Sequence, residues 1–256
     1  MGLWTAMHAK TVLPAVVGML LLAALLGYLL KKQPLKIRML PMQVIAVLLL
    51  LLEVGKQWIS LMRGYDLYHI PLHYCSLFIF AIPAMAFYWG RHAGKVRAIN
   101  AALCASVFLI MLIYPSLIYS ASDIQNFFKE YMSFHTVAFH NLVMLSFVLM
   151  LALKLHQPEK RGEPKVISVF MLCFCAVSAT AAQLLKTNYA GFYQCNIPPL
   201  ETVRLWVQAR MGYGVAQLVF VLAVVAVTLL FTLMAYWVYR GIHKVLTPKP
   251  HAPAHK

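Results

Sequence analysis

The chain has 256 residues, 62% of them hydrophobic and 11% charged, and a formal net charge of +15. A soluble domain carries about 25% charged residues and cannot bury this much apolar surface, so a water-soluble fold is excluded and lipid is the expected solvent. The excess positive charge lies in short loops between apolar runs, with no nucleic-acid module or glycine-rich phosphate loop, so it is read as orienting helices and meeting anionic lipid headgroups at the cytoplasmic face, not nucleic acid.

Apolar runs predict an all-α polytopic membrane protein of about seven transmembrane helices, at residues 12–30, 39–60, 70–89, 98–119, 134–153, 166–186 and 213–239. The first run lacks a strong positive flank before it, and Lys31 and Lys32 follow it, so it is read as a retained span and not a cleavable signal peptide. The second carries Glu53, Lys56 and Gln57 toward its end, and the third and fourth contain Pro83 and Pro115. Between the last two spans, Pro199, Glu201 and apolar residues at helical spacing from Leu200 to Met211 fit either a short interfacial helix or an ordered loop. One domain is expected over residues 1–247, followed by a disordered basic tail at 248–256.

Lys and Arg alternate between loops. Lys31, Lys32, Lys36 and Arg38 follow the first run; Arg91, Lys95 and Arg97 follow the third; Lys154, Lys160, Arg161 and Lys165 follow the fifth. The intervening segments are poorer, apart from Lys186, Arg204 and Arg210 after the sixth run. This pattern predicts an outside N-terminus and a cytoplasmic C-terminus.

On that topology, polar residues gather in the outer half: Glu53, Lys56 and Gln57; His69, His73 and Cys75; His135, His140 and Asn141; Lys186, Asn188 and Tyr189. Ionisable groups at membrane depth are functional candidates by default. Cys75, about 7 Å into the third helix, and His140, at nearly matching depth in the fifth, are the parts of an activated thiol nucleophile. His135 sits one turn shallower, and His73 is a weaker base because residues two apart on a helix diverge. A cysteine alone is more often a packing residue, and Glu53 with Lys56 can simply be an ion pair. His69 and His73 could share a helical face and hold zinc with His135 or His140, and His73 with His140 could ligate a haem. No metal or cofactor is required by the thiol reading.

The segment His69–Leu77, HIPLHYCSL, resembles the L-P-L-H-x-C-S motif of the YwaF family of bacterial integral membrane proteins, related to the eukaryotic transmembrane protein 164 acyltransferases. The resemblance extends to the His-bearing fifth helix and to TNYAGF, similar to the family's N-Y motif, and spans roughly residues 50–240. It implies an enzyme of the plasma membrane that moves fatty acyl chains between glycerophospholipids. Cys75 is then the nucleophile and His140 or His135 the base. His73, Glu53, Lys56, Asn188 and Tyr189 would contact phospholipid and lysophospholipid. The competing classes are a transporter or ligand-binding membrane protein, which should show broken helices near the midplane, and a metal or haem protein.

Overall fold

The computed structural model describes residues 4–159, 162–195 and 198–247. The expected basic tail at 248–256 lies outside the described residues. Among them there is no strand, and ten α-helices follow in order: α1 Ala6–Leu30, α2 Leu35–Arg38, α3 Leu40–Met62, α4 Phe78–Phe87, α5 Ala93–Ile113, α6 Ala121–Gln125, α7 Tyr131–Ala152, α8 Glu163–Leu185, α9 Pro198–Met211 and α10 Tyr213–Leu246.

Six helical stretches are long and apolar enough to cross a membrane: α1, α2 with α3 as one 28-residue unit, α5, α7, α8 and α10. The shortest, α5, has 21 residues, about 32 Å at 1.5 Å per residue, against a hydrocarbon core of about 30 Å. The third apolar run is different. A helix was expected over 70–89, but Ile70 precedes Pro71 and is extended, at φ −59° and ψ 131°, as steric crowding by the proline ring requires. Helical structure starts only at Cys75, with three residues of 3-10 helix and then the ten of α4. That is about 20 Å, well short of the core. Cys75 therefore opens a short helix, where the sequence alone placed it about 7 Å inside a long one.

Proline also displaces the fourth span. Tyr114 precedes Pro115 and leaves the helical region at φ −144°, ψ 69°, so α5 ends at Ile113 instead of near 119. The segment near 200 is helical, α9, with Leu200, Val203, Trp206 and Met211 exposed. Arg204 forms a bidentate pair with Glu201, which holds the Glu201 carboxyl below its ordinary range.

The core centres on α5, which packs against α4, α7, α8 and α10. Its buried face is a run of small residues, Ala98, Ala101, Ala102, Ala105 and Ser106 among them, which lets neighbouring backbones approach closely where lipid provides no hydrophobic drive. Asn100 ties α5 to α4 by donating to the Ala81 carbonyl at 2.8 Å. On the other side, α3 packs against both α4 and α7. The Tyr131 ring of α7 crosses α3 at Gly55 and its hydroxyl donates to the Leu52 carbonyl at 2.9 Å; a Cβ at Gly55 would lie 2.0 Å from that oxygen.

The end of the bundle rich in Lys and Arg holds a polar cluster that the sequence did not reveal. Glu163, at the first turn of α8, is 3% exposed. It accepts from the Tyr236 hydroxyl of α10 and from the Glu159 amide at 3.0 Å, and His156 Nε2 lies 3.2 Å from its Oε1. Tyr239 donates to the His156 carbonyl at 3.1 Å, and Arg38 to the Leu153 carbonyl at 2.7 Å. The polar chemistry is thus not confined to one end of the bundle. Glu163→Leu leaves the Tyr236 hydroxyl and His156 buried without their acceptor and is expected to cost about 2–3 kcal/mol. Lys154→Leu, at an exposed loop position, should stay within about 0.5 kcal/mol. Thermal unfolding of both variants in detergent measures the difference.

Candidate functional site

At the opposite end, the last turns of α3 present Glu53, Lys56, Gln57 and Ser60 at spacings that share one helical face. Glu53 is 7% exposed. Its Oε1 is 2.7 Å from Lys56 Nζ and accepts from Gln57 Nε2 at 2.7 Å, while His135 Nε2 of α7 lies 3.4 Å from Oε2. A carboxylate in this setting is tolerable because the cation and the donors accompany it.

The same face of α3 holds the irregular stretch between α3 and α4. Gln57 donates to the His69 carbonyl at 2.8 Å and accepts from the Tyr65 hydroxyl at 2.8 Å; Ser60 Oγ meets His69 Nδ1 at 2.5 Å. From across the bundle, Tyr189 donates to the Leu67 carbonyl at 2.5 Å and Ser178 of α8 to the Leu72 carbonyl at 3.0 Å. His73 Nε2 closes onto the Tyr68 carbonyl at 3.0 Å, its ring 4.4 Å from that of Tyr68 and 5.5 Å from that of Tyr189. Cys75 follows directly, half-buried.

His140 lies further along α7, buried. Its Nδ1 is 2.7 Å from the Thr136 carbonyl. A carbonyl only accepts, so Nδ1 carries the proton and Nε2 presents a lone pair. That Nε2 is buried without a hydrogen-bond partner among the described residues. Cys75 immediately precedes α4 and His140 is on α7, and both helices pack against α3.

The other candidates separate into three roles. Tyr189 and His73 pack ring against ring, His73 two residues before Cys75, and Glu53, Lys56 and His135 form the buried ion cluster. Asn188 Oδ1 accepts the amides of Tyr193 and Gln194, both at 3.1 Å, and so shapes the turn after α8. Ser60, Tyr65, Tyr68 and Ser178 were missed as parts of the site. Ser60 was detectable as the next step of the Glu53–Lys56 face, whereas Ser178 carried no local signal. His69 and His73 do not share a helical face, because the stretch that bears them is not α-helical. Among the described residues no group of three or more His, Cys, Asp or Glu is placed to hold a metal ion.

The model of the TMEM164 family matches residues 3–235, from the start of the chain to well within α10. The chain belongs to the TMEM164 family. No curated protein and no solved structure matches. With its six long apolar helices, this TMEM164-family member is an integral multi-pass membrane protein. The matched stretch contains both the Glu53 cluster and the Cys75 segment, so the site belongs to the part of the chain that the family defines.

Burial holds the His73 imidazole below its ordinary value of 6.5, against the opposing effect of its hydrogen bond to the Tyr68 carbonyl. As pH falls, the unfolded chain therefore takes up this proton before the folded one does. Order in the 64–74 stretch should be complete above pH about 6.5 and decline below it. Hydrogen exchange of these amides across pH 5–8 tests this, and His73→Gln should flatten the dependence.

Proposed function

We propose that this protein transfers fatty acyl groups between glycerophospholipids through a thioester on Cys75. The observation that carries the reading is the arrangement around one end of α3: a half-buried thiol opening α4, an ammonium at Lys56, and a buried His140 imidazole whose Nε2 lone pair has no protein partner. Membership of the TMEM164 family and the HIPLHYCSL segment support it.

In the proposed reaction, an imidazole takes the Cys75 proton and the thiolate attacks the ester carbonyl carbon of a phospholipid. A C–S bond forms, the ester C–O bond breaks, and the departing lysophospholipid oxygen receives the proton. A second lysophospholipid hydroxyl then attacks the thioester, gives its proton to the imidazole, and releases Cys75. His140 is taken as the base: Nε2 of both His135 and His140 lacks a hydrogen-bond partner among the described residues, but that of His135 lies 3.4 Å from the Glu53 carboxylate. Lys56 is the cation for the carbonyl oxygen in its anionic state or for the headgroup phosphate. Tyr189 and His73 line the approach to the thiol, and Glu53 keeps Lys56 in place. The Lys/Arg alternation supports an extracytoplasmic position for this end of the bundle.

Purified protein supplied with phospholipid should gain one acyl mass, removable by hydroxylamine. Cys75→Ser should abolish both this adduct and acyl transfer, and His140→Gln should slow transfer by about 10²-fold or more. Full transfer by Cys75→Ser overturns the mechanism. A membrane-impermeant, lipid-like thiol reagent should label Cys75 in intact cells; labelling only in inverted vesicles reverses the orientation.

A further inference from the structure

At the Lys/Arg-rich end, α5 and α8 begin side by side and enclose a cleft of about 710 Å³. Its lining is graded. His92 just before α5, Lys95 of α5 and Lys165 of α8 stand at its mouth, exposed; Ile99, Val166 and Phe170 form its floor. Val169, 53% exposed, carries the apolar wall out onto the surface of α8, where Cys173 and Val177 continue it one and two turns further on.

The charge at the mouth is unspent. Among the described residues neither Lys95 nor Lys165 lies within ion-pair distance of a carboxylate. His92 Nε2 accepts from Arg91 Nε at 2.9 Å, which leaves its other ring nitrogen to donate. Two carboxylates also line the cleft. Glu163 is already engaged by His156 and Tyr236, leaving Glu159 as the one exposed acid. Neither His92 before α5 nor Gly162 before α8 provides a side-chain cap.

We propose that this cleft is a binding site for an anionic phospholipid. The phosphate lies among Lys95, Lys165 and His92, and one acyl chain runs over Ile99, Val166 and Phe170 and down the Val169 face of α8. A free phosphate would leave the apolar floor in water, and a zwitterionic lipid would set its own cation against the lysines. The volume falls within the range of small-molecule pockets. The site is at the other end of the bundle from Cys75 and does not depend on the acyl-transfer reading.

Native mass spectrometry of the purified full chain, equilibrated with phosphatidylglycerol or phosphatidylcholine, reads the retained lipid. Wild-type protein should keep phosphatidylglycerol in preference. Lys95→Gln with Lys165→Gln, both at exposed positions, should reduce retention at least fivefold without lowering the unfolding temperature, and Val166→Trp, which fills the floor, should do the same. Lys31→Gln with Lys32→Gln, at the same end but outside the cleft, should retain lipid as wild type does. Equal retention of the two lipids, unchanged retention in the Lys95/Lys165 variant, equal loss in the Lys31/Lys32 control, or full displacement by millimolar inorganic phosphate would each overturn the proposal.

Discussion

Backbone amides and carbonyls of a membrane protein need partners, and the stretch between α3 and α4 provides only short turn hydrogen bonds of its own. Pro71 and the short 3-10 turns leave this stretch without the continuous ladder of an α-helix. Its carbonyls are instead taken up by side chains of three other elements: Gln57 of α3, Ser178 of α8 and Tyr189 after α8. Side chains of the packed helices thus hold a non-helical segment that no continuous ladder would hold. The enclosure also decides where Cys75 sits. It emerges at the start of a short helix, beside polar groups gathered to hold the backbone, and not midway along a lipid-facing span.

The Glu53 cluster serves the same end of the bundle twice. The carboxylate holds Lys56 and Gln57 in place, and Gln57 then reaches the His69 carbonyl. Lys56 itself stays ion-paired to Glu53. The ion cluster and the support of the irregular stretch are therefore carried by one face of α3. The Lys/Arg-rich end is organised differently. There Glu163 joins α8 to α10 and to the loop after α7, closing the bundle, while a lysine-rimmed cleft stays open beside it.

Much of the fold was legible in the sequence because membrane helices announce themselves one at a time. The runs around α1, α3, α7, α8 and α10 are long, apolar and bounded by charge, and the interval after α8 carried Pro199 and Glu201 as helix-start signals for α9. Two boundaries failed for one reason. Residues 70 and 114 each precede a proline, and apolarity alone reads straight through them. Glu163 was illegible for another reason: set among Glu159, Gly162 and Lys165, it looks like part of a solvated loop.

Membrane residence, the helical class and the asymmetric distribution of basic residues follow from the sequence itself, since each depends on the local balance of apolar and charged side chains against lipid and water. The partners of the buried polar groups did not. Glu53 meets His135, Tyr189 reaches Leu67 and Tyr236 reaches Glu163 across 122 residues in the second case and 73 in the third. Such pairings are set by how the helices pack around α5, which no local pattern encodes. Only the assembled bundle shows which polar side chains support the backbone and which are left free to act.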